Sequence, residues 1–337
     1  MALPKIARAH RPVREVLALI GACSLSTAGF FAATFARTAT ERVIAVAGLS
    51  VAAVQMILIL HDAMHESLFR SHQANRWVGR LIGAFYLTPF HFLQWSHLQH
   101  HQHAGRIEGD TELLHPPRVH AQRKRFGAFL ATLARSPLAP VCYAPLLQLS
   151  HLIALPEMRQ TRRSRLLRDS AVDLSWMAVA WVPLAVALHA YGALGTALVF
   201  GFMCPFAISL SLVYCAASPL HTGMVASSVA DRPVTERAFF VSRSIDSSWL
   251  GRFIFCNLGF HIEHHLYAHL PRWQLGEAAR ALRPALLAYA AERNLPVIIH
   301  PGYVRYYAES LARVTRFNEL TPDRVAFANA GFTLVHQ

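Results

Sequence analysis

VIAVAGLSVAAVQMILIL (Val43–Leu60) runs without interruption into HDAMH (His61–His65). The first string carries no charge and approaches the roughly 20 residues that a helix needs to cross a hydrocarbon core. It is slightly short, so the helix is expected to continue through His61 and emerge from the membrane. The second string sets two imidazoles four residues apart, a spacing that puts both on one helix face. A span that ends in paired imidazoles ties the fold to metal-type chemistry.

Three further runs are long and apolar enough to span: Val16–Ala36, Ala171–Tyr191 and Ala193–Ala217. The first follows a basic start, but it exceeds the roughly 7–15 apolar residues of a signal peptide, so it is read as a span. The linkers Thr38–Arg42 and Gly192 are short, so the spans pair into two tight hairpins and every long segment falls on one side. That side carries Lys5, Arg8, Arg11, Arg14 and the run Arg159, Arg162, Arg163, Arg165 and Arg168, whereas the opposite linkers hold only Arg37 and Arg42. Lysine and arginine favour the cytoplasmic side, which places both termini and the histidine groups there.

Composition agrees, with 54% hydrophobic residues, 15% charged residues and a mean hydropathy of +0.30 in 337 residues. The net charge of +13 does not indicate nucleic acid, because the arginines gather at the ends of apolar runs. Cys23, Cys142, Cys204, Cys215 and Cys256 have no CxxC spacing and read as reduced thiols. Val78–Leu93 and Leu138–Leu155 contain Pro89, Pro140 and Pro145 together with histidines, and read as helices lying in the interface. From Arg272 the chain turns polar, with a helix over Glu277–Arg293. The expectation is an all-α integral membrane protein of four transmembrane helices in two hairpins, with interfacial helices. Residues 1–15 form a basic cytoplasmic N-terminus, 16–271 the membrane domain and 272–337 a cytoplasmic helical cap. Alanine- and arginine-rich composition points to a bacterium, and so to its inner (plasma) membrane.

The 20 histidines are unevenly placed. Besides His61 and His65, HxxHH occurs twice, as His97-Leu-Gln-His100-His101 and His261-Ile-Glu-His264-His265. A single histidine at a helix end is more often a capping or interfacial residue than a ligand. Three groups of ligand spacing on one membrane side read instead as shared metal ligation. His221, just past the fourth span, faces the same side and is a further candidate. Eight or nine imidazoles exceed one ion's needs and suggest two, with about four or five nitrogens each. Imidazole suits iron, copper, nickel and zinc alike. The apolar setting, the absence of thiolate and the scarcity of carboxylates favour redox iron and oxidation of a buried hydrocarbon over hydrolysis.

These motifs resemble the membrane fatty acid desaturase family, which includes acyl desaturases, hydroxylases and carotenoid ketolases. The likeness covers roughly Val43 to Trp273: the three histidine boxes match His61–His65, His97–His101 and His261–His265, and a further family ligand matches His221. The resemblance implies a non-haem di-iron centre, O2 as co-substrate, a lipid or acyl-chain substrate, and an external electron donor of ferredoxin or cytochrome b5 type. Ser242-Arg243-Ser244 with Asn257–Pro271 looks acyl-desaturase-like, whereas HDAMH and His100-His101-Gln-His103-Ala-Gly105 also resemble ketolases. Some desaturases carry an asparagine one turn before the residue matching His221; Ala217 stands there, so that role does not carry over.

Asp62, His103, Asn257, Glu263 and His269 lie beside the boxes and are candidates to orient the ligands, and Glu66, Asp110 and Glu112 are further nearby carboxylates. His91, His151 and His189 have no partner at ligand spacing and read as structural. His300-Pro-Gly-Tyr303 is too short a likeness to a haem-binding signature to imply a fused cytochrome domain. The reaction expected is removal of two hydrogens from neighbouring methylenes, giving a double bond. Hydroxylation or ketolation within the same superfamily is the alternative. A membrane haem protein or metal transporter is more distant, because transport ligands belong near the bilayer midplane and these boxes sit at span ends.

Overall fold

A computed structural model describes residues 3–9, 11–104, 160–221 and 231–314. The stretch Leu138–Leu155, with His151, Asp110 and Glu112, lies outside the described residues. The structure is mostly helical, and among the described residues it forms two units. One comprises the described parts of 10–99 and 114–214, the other those of 1–9, 100–113 and 215–337.

In the first unit, α1 (Pro12–Phe35) and α2 (Ala39–Met64) form a hairpin. Thr38 caps α2 through a reciprocal box: its hydroxyl accepts from Glu41 N at 3.2 Å, and the Glu41 carboxylate accepts from Thr38 N at 3.1 Å. Two amides that a helix start would leave without partners are thereby satisfied. The hairpin is tight because Gly29 meets Leu49, where an added Cβ would come within 3.0 Å of the leucine Cβ. α2 continues through His61 to Met64, as its sequence suggested.

The stretch Val78–Leu93, broken at Pro89, falls on two helices, α3 (His72–Phe85) and α4 (Phe90–His103). Leu87 adopts a left-handed φ of 51° and Thr88 N bonds back to Gly83 O at 2.8 Å, closing α3. Pro89 then disfavours helical geometry at the residue before it. α5 (Gln160–Ala190) and α6 (Leu194–His221) make the second hairpin, turned by Gly192 at φ 66°. Residues Ala197–Met203 of α6 are wound as a π-helix. Apolar side chains of α2 (Met56, Ile59, Leu60, Ala63) pack with Ile82, Tyr86 and Phe90, and Phe30 and Leu49 pack with Leu188 and Ala197.

Among the described residues four helices are long and apolar enough to cross a membrane: Pro12–Phe35, Ala39–Met64, Arg163–Ala190 and Leu194–His221. On α5, Val179, Val182 and Val186 share a face and are 58–66% exposed. An apolar stripe of that kind is costly in water and at home in hydrocarbon.

The second unit holds α7 (Val234–Val241), β1 (Ser244–Ile245), α8 (Trp249–Ile254), α9 (His261–Leu266), α10 (Arg272–Glu292), β2 (Ile299–His300) and α11 (Tyr303–Val314). β1 and β2 pair in parallel, Ser244 opposite Ile299. α10 begins five residues ahead of the helix expected at Glu277 and buries Leu282, Leu286 and Tyr289 against Phe239, Ile262 and Leu270. His300, from the discounted haem-like tetrapeptide, is a strand residue whose ring meets the Gly302 backbone and Glu309. Among the described residues the four cysteines are free thiols.

Candidate metal centre

In the first unit the last turn of α2 presents His61, and His65 caps that helix. Both face His97 of α4: the three ring centroids lie 4.6–4.8 Å apart, and His65 Nε2 is 2.8 Å from His97 Nε2. The helix ends at His65 because Glu66 turns left-handed at φ 53°, and Ser67 returns two bonds to the Asp62 carbonyl at 2.9 and 3.0 Å. Gln94 of α4 donates to Met64 O at 3.0 Å, tying the two ligand-bearing segments together. The Asp62 carboxylate is buried and comes no nearer than 4.0 Å to His61 Nδ1.

The second unit gathers six imidazoles from three helices. His100, His221, His261 and His265 place one ring nitrogen each within 4.8 Å of the others. His221 Nε2 lies 2.7 Å from His261 Nε2, 3.3 Å from His100 Nε2 and 3.4 Å from His265 Nε2. Beside them His101 and His264 approach through Nε2 at 3.1 Å, and the His101 ring stacks on His265 at 4.4 Å.

The donor chemistry of this group fits a metal. His221 Nδ1 donates to the Val241 carbonyl at 2.7 Å. In the neutral ring this leaves Nε2 a bare lone pair, which cannot form a hydrogen bond with each of three neighbouring Nε2 atoms but can share a cation with them. Burial, followed by the His261, His221, His100 and His264 rings, pushes the His265 pKa well below its usual value and keeps the ring in the neutral form that metals require. The group consists of imidazoles alone, the donor type that suits iron, copper or zinc.

Short segments around these rings hold them in place. Ser244 on β1 donates its hydroxyl to the Glu263 carboxylate and accepts from Ile262 N at 3.1 Å, so β1 grips α9 on the side away from the imidazoles. Arg283 of α10 forms a two-pronged pair with Asp246 at 2.8 and 3.1 Å and reaches to 4.0 Å from Glu263. Burial raises the Glu263 pKa, and the Ser244 bond and Arg283 oppose that rise. Ile245 N bonds to Gly259 O at 2.7 Å, an approach that only glycine permits, because a Cβ there would lie 2.4 Å from Ile245 O. Arg237, itself buried, donates to Gln102 O at 2.5 Å and so places a cation at the C-terminal end of α4.

Of the remaining candidates, Asn257 sits at φ 64° and donates to Arg272 O at 2.9 Å, shaping the turn that leads into α9. His103 occupies the last residue of α4. His269 points to the N-terminal segment, where its Nε2 meets Ile6 O at 2.9 Å. Nothing in the sequence marks Arg237, Val241 O, Arg283 or the role of Ser244, although Ser242-Arg243-Ser244 carries a family likeness.

Helices fit to span a membrane, bearing histidine groups of metal-ligand geometry at their ends, define a class of membrane protein built around an imidazole-only site. The chain belongs to the fatty acid desaturase family, whose model matches residues 42–296. Among its relatives are a probable fatty acid desaturase of Sorghum bicolor, 26% identical over 243 residues, and an sn-1 acyl-lipid omega-3 desaturase (ferredoxin) of Synechocystis, 24% identical over 258. A third is an endoplasmic-reticulum acyl-lipid omega-3 desaturase (cytochrome b5) of Arabidopsis thaliana, 26% identical over 242 residues. The matches cover 69%, 72% and 69% of this chain, and 61%, 67% and 61% of the relatives' own lengths.

Proposed function

We propose that this chain is a membrane-bound, oxygen-dependent desaturase that inserts a C=C bond into a lipid acyl chain. The observation that carries the reading is the convergence of His100, His221, His261 and His265 through their ring nitrogens in a chain whose residues 42–296 match the family. On this reading nine imidazoles hold two irons, one of them on those four. His61, His65, His97, His101 and His264 are the remaining candidate ligands, and within α4 His97 and His101 share a face.

Bound iron would supply reductive activation of dioxygen. The chain's own residues supply orientation and dryness. The Val241 carbonyl fixes the His221 tautomer, while Ser244 and Glu263 hold α9 so that its three imidazoles point together. His264 and His261 are both nearly buried, which limits the access of water to their rings. Overall, two neighbouring methylenes lose one hydrogen each, two electrons and two protons enter from outside, and O2 leaves as two waters. The electrons come from a separate donor of ferredoxin or cytochrome b5 type, the two kinds that the relatives' names specify. The basic segments before the first and third spans support a cytoplasmic side for the termini and the metal centre, and the alanine- and arginine-rich composition supports a bacterial inner membrane.

HDAMH and HHQHAG, which also resemble ketolases, keep oxygen insertion as the competing outcome. Expression in a host without such activity, followed by mass spectrometry of total lipids, separates the two. A lipid lighter by two hydrogens supports desaturation; one heavier by an oxygen refutes it.

A further inference from the structure

His91, which has no partner at ligand spacing in the sequence, has one in the fold. Asp173 of α5, its side chain 1% exposed and its position inside a membrane-spanning helix, accepts from His91 N at 2.9 Å and meets His91 Nδ1 at 3.0 Å. The other carboxylate oxygen takes Arg80 Nε of α3 at 3.0 Å. Arg80 in turn lies over the Trp77 ring at 5.3 Å, and Trp77 meets Trp176 of α5 edge-on at 5.4 Å. A carboxylate buried at that depth is costly, and such groups within spans tend to serve the protein's function.

The geometry says what this one does. The first amides of a helix have no partner within it, and α4 starts after Pro89, whose side chain offers no acceptor. Asp173 supplies one from 82 residues away, on the second amide of α4, with a charge of the sign that a helix N-terminus favours. α4 is the helix that carries His97, His100 and His101. His97 lies six residues past His91, about 9 Å along the axis at about 1.5 Å per residue. A tilt of about 3° at the start of α4 therefore displaces His97 by about 0.5 Å, the tolerance of a working site.

We propose that Asp173 is a positioning residue: by capping α4 from a neighbouring span and clamping it to Arg80, it sets where the second histidine group stands. The consequence for metal rests on the reading above; the consequence for α4 does not.

The test uses the full chain in nanodiscs, with Asp173→Leu, Asp173→Asn and Trp181→Phe. The last is a control, since Trp181 Nε1 donates to Ala84 O at 2.7 Å and ties α5 to α3. Hydrogen exchange over 90–103 and iron per chain after loading are read in each. Asp173→Leu removes the charged acceptor of His91 N and should exchange at least about tenfold faster over that peptide, and should hold less than half the wild-type iron. Asp173→Asn keeps an oxygen for His91 N but not the charge facing Arg80, and should fall between. Trp181→Phe should match the wild type in both. Wild-type exchange over α4 in both Asp173 variants, or an equal change in Trp181→Phe, overturns the proposal. If the wild type binds no iron, the proposed function falls, while the exchange result still decides the role of Asp173.

Discussion

Ser244→Ala removes a single hydroxyl that touches no imidazole, yet it should loosen the helix that bears three of them. The hydroxyl makes two contacts, donating to the Glu263 carboxylate and accepting from Ile262 N. Both partners are almost fully buried, so water does not readily replace it. A bond to a charged group contributes about 1.5–3 kcal/mol and an ordinary one about 0.5–1.5 kcal/mol, which sets the loss at about 2–4.5 kcal/mol. Arg283, at 4.0 Å from Glu263, recovers part of this, which favours the lower end. Because the opening of α9 is a local event, its amides report it without requiring the whole chain to unfold. About 2 kcal/mol raises the open fraction roughly 30-fold, so exchange over 259–267 should accelerate by about that factor. The α1–α2 hairpin in the same sample serves as the reference. Unchanged exchange over 259–267 would refute the claim that β1 holds α9.

Other substitutions test neighbouring links. His264→Ala should abolish lipid oxidation while the protein still inserts and folds, and retained turnover in the same lipid assay would remove that residue from the ligand set. Gly259→Ala forces a Cβ to 2.4 Å from Ile245 O and should destabilise the second unit by about 1–3 kcal/mol through overpacking, seen as a lower midpoint for loss of bound iron on heating. Gly302→Ala meets its nearest atom at 3.7 Å and should leave that midpoint unchanged. Thr38→Ala breaks the box that starts α2 and should cost about 1 kcal/mol. Combining it with Glu41→Ala should add less than the sum, because the two share one motif, and denaturant unfolding of the three variants measures this.

What the sequence revealed and what it hid divide along a physical line. The spans were readable because apolar runs of membrane length need no tertiary information, and His61/His65, His97/His101 and His261/His265 were readable because four-residue spacing on a helix is itself a geometric statement. The break between α3 and α4 was half visible in Pro89, but the left-handed Leu87 that closes α3 has no side-chain signature. Backbone partners such as Val241 O and Gln102 O are invisible in principle, since every residue has a carbonyl. Asp173 was hidden for another reason: its partners Arg80 and His91 lie 93 and 82 residues away, and nothing local marks a carboxylate in an apolar run as a cap for a different helix. His269 went the other way, since its place beside a histidine box suggested a supporting role and its ring instead meets the Ile6 carbonyl.

The most direct test of the central claim is a single-turnover reaction of the purified, iron-loaded protein with a perdeuterated acyl lipid, a reduced ferredoxin and 18O2. The account predicts about two irons per chain and a product lighter by two deuterons that contains no 18O. A product that carries 18O, or turnover by protein without iron, would contradict it.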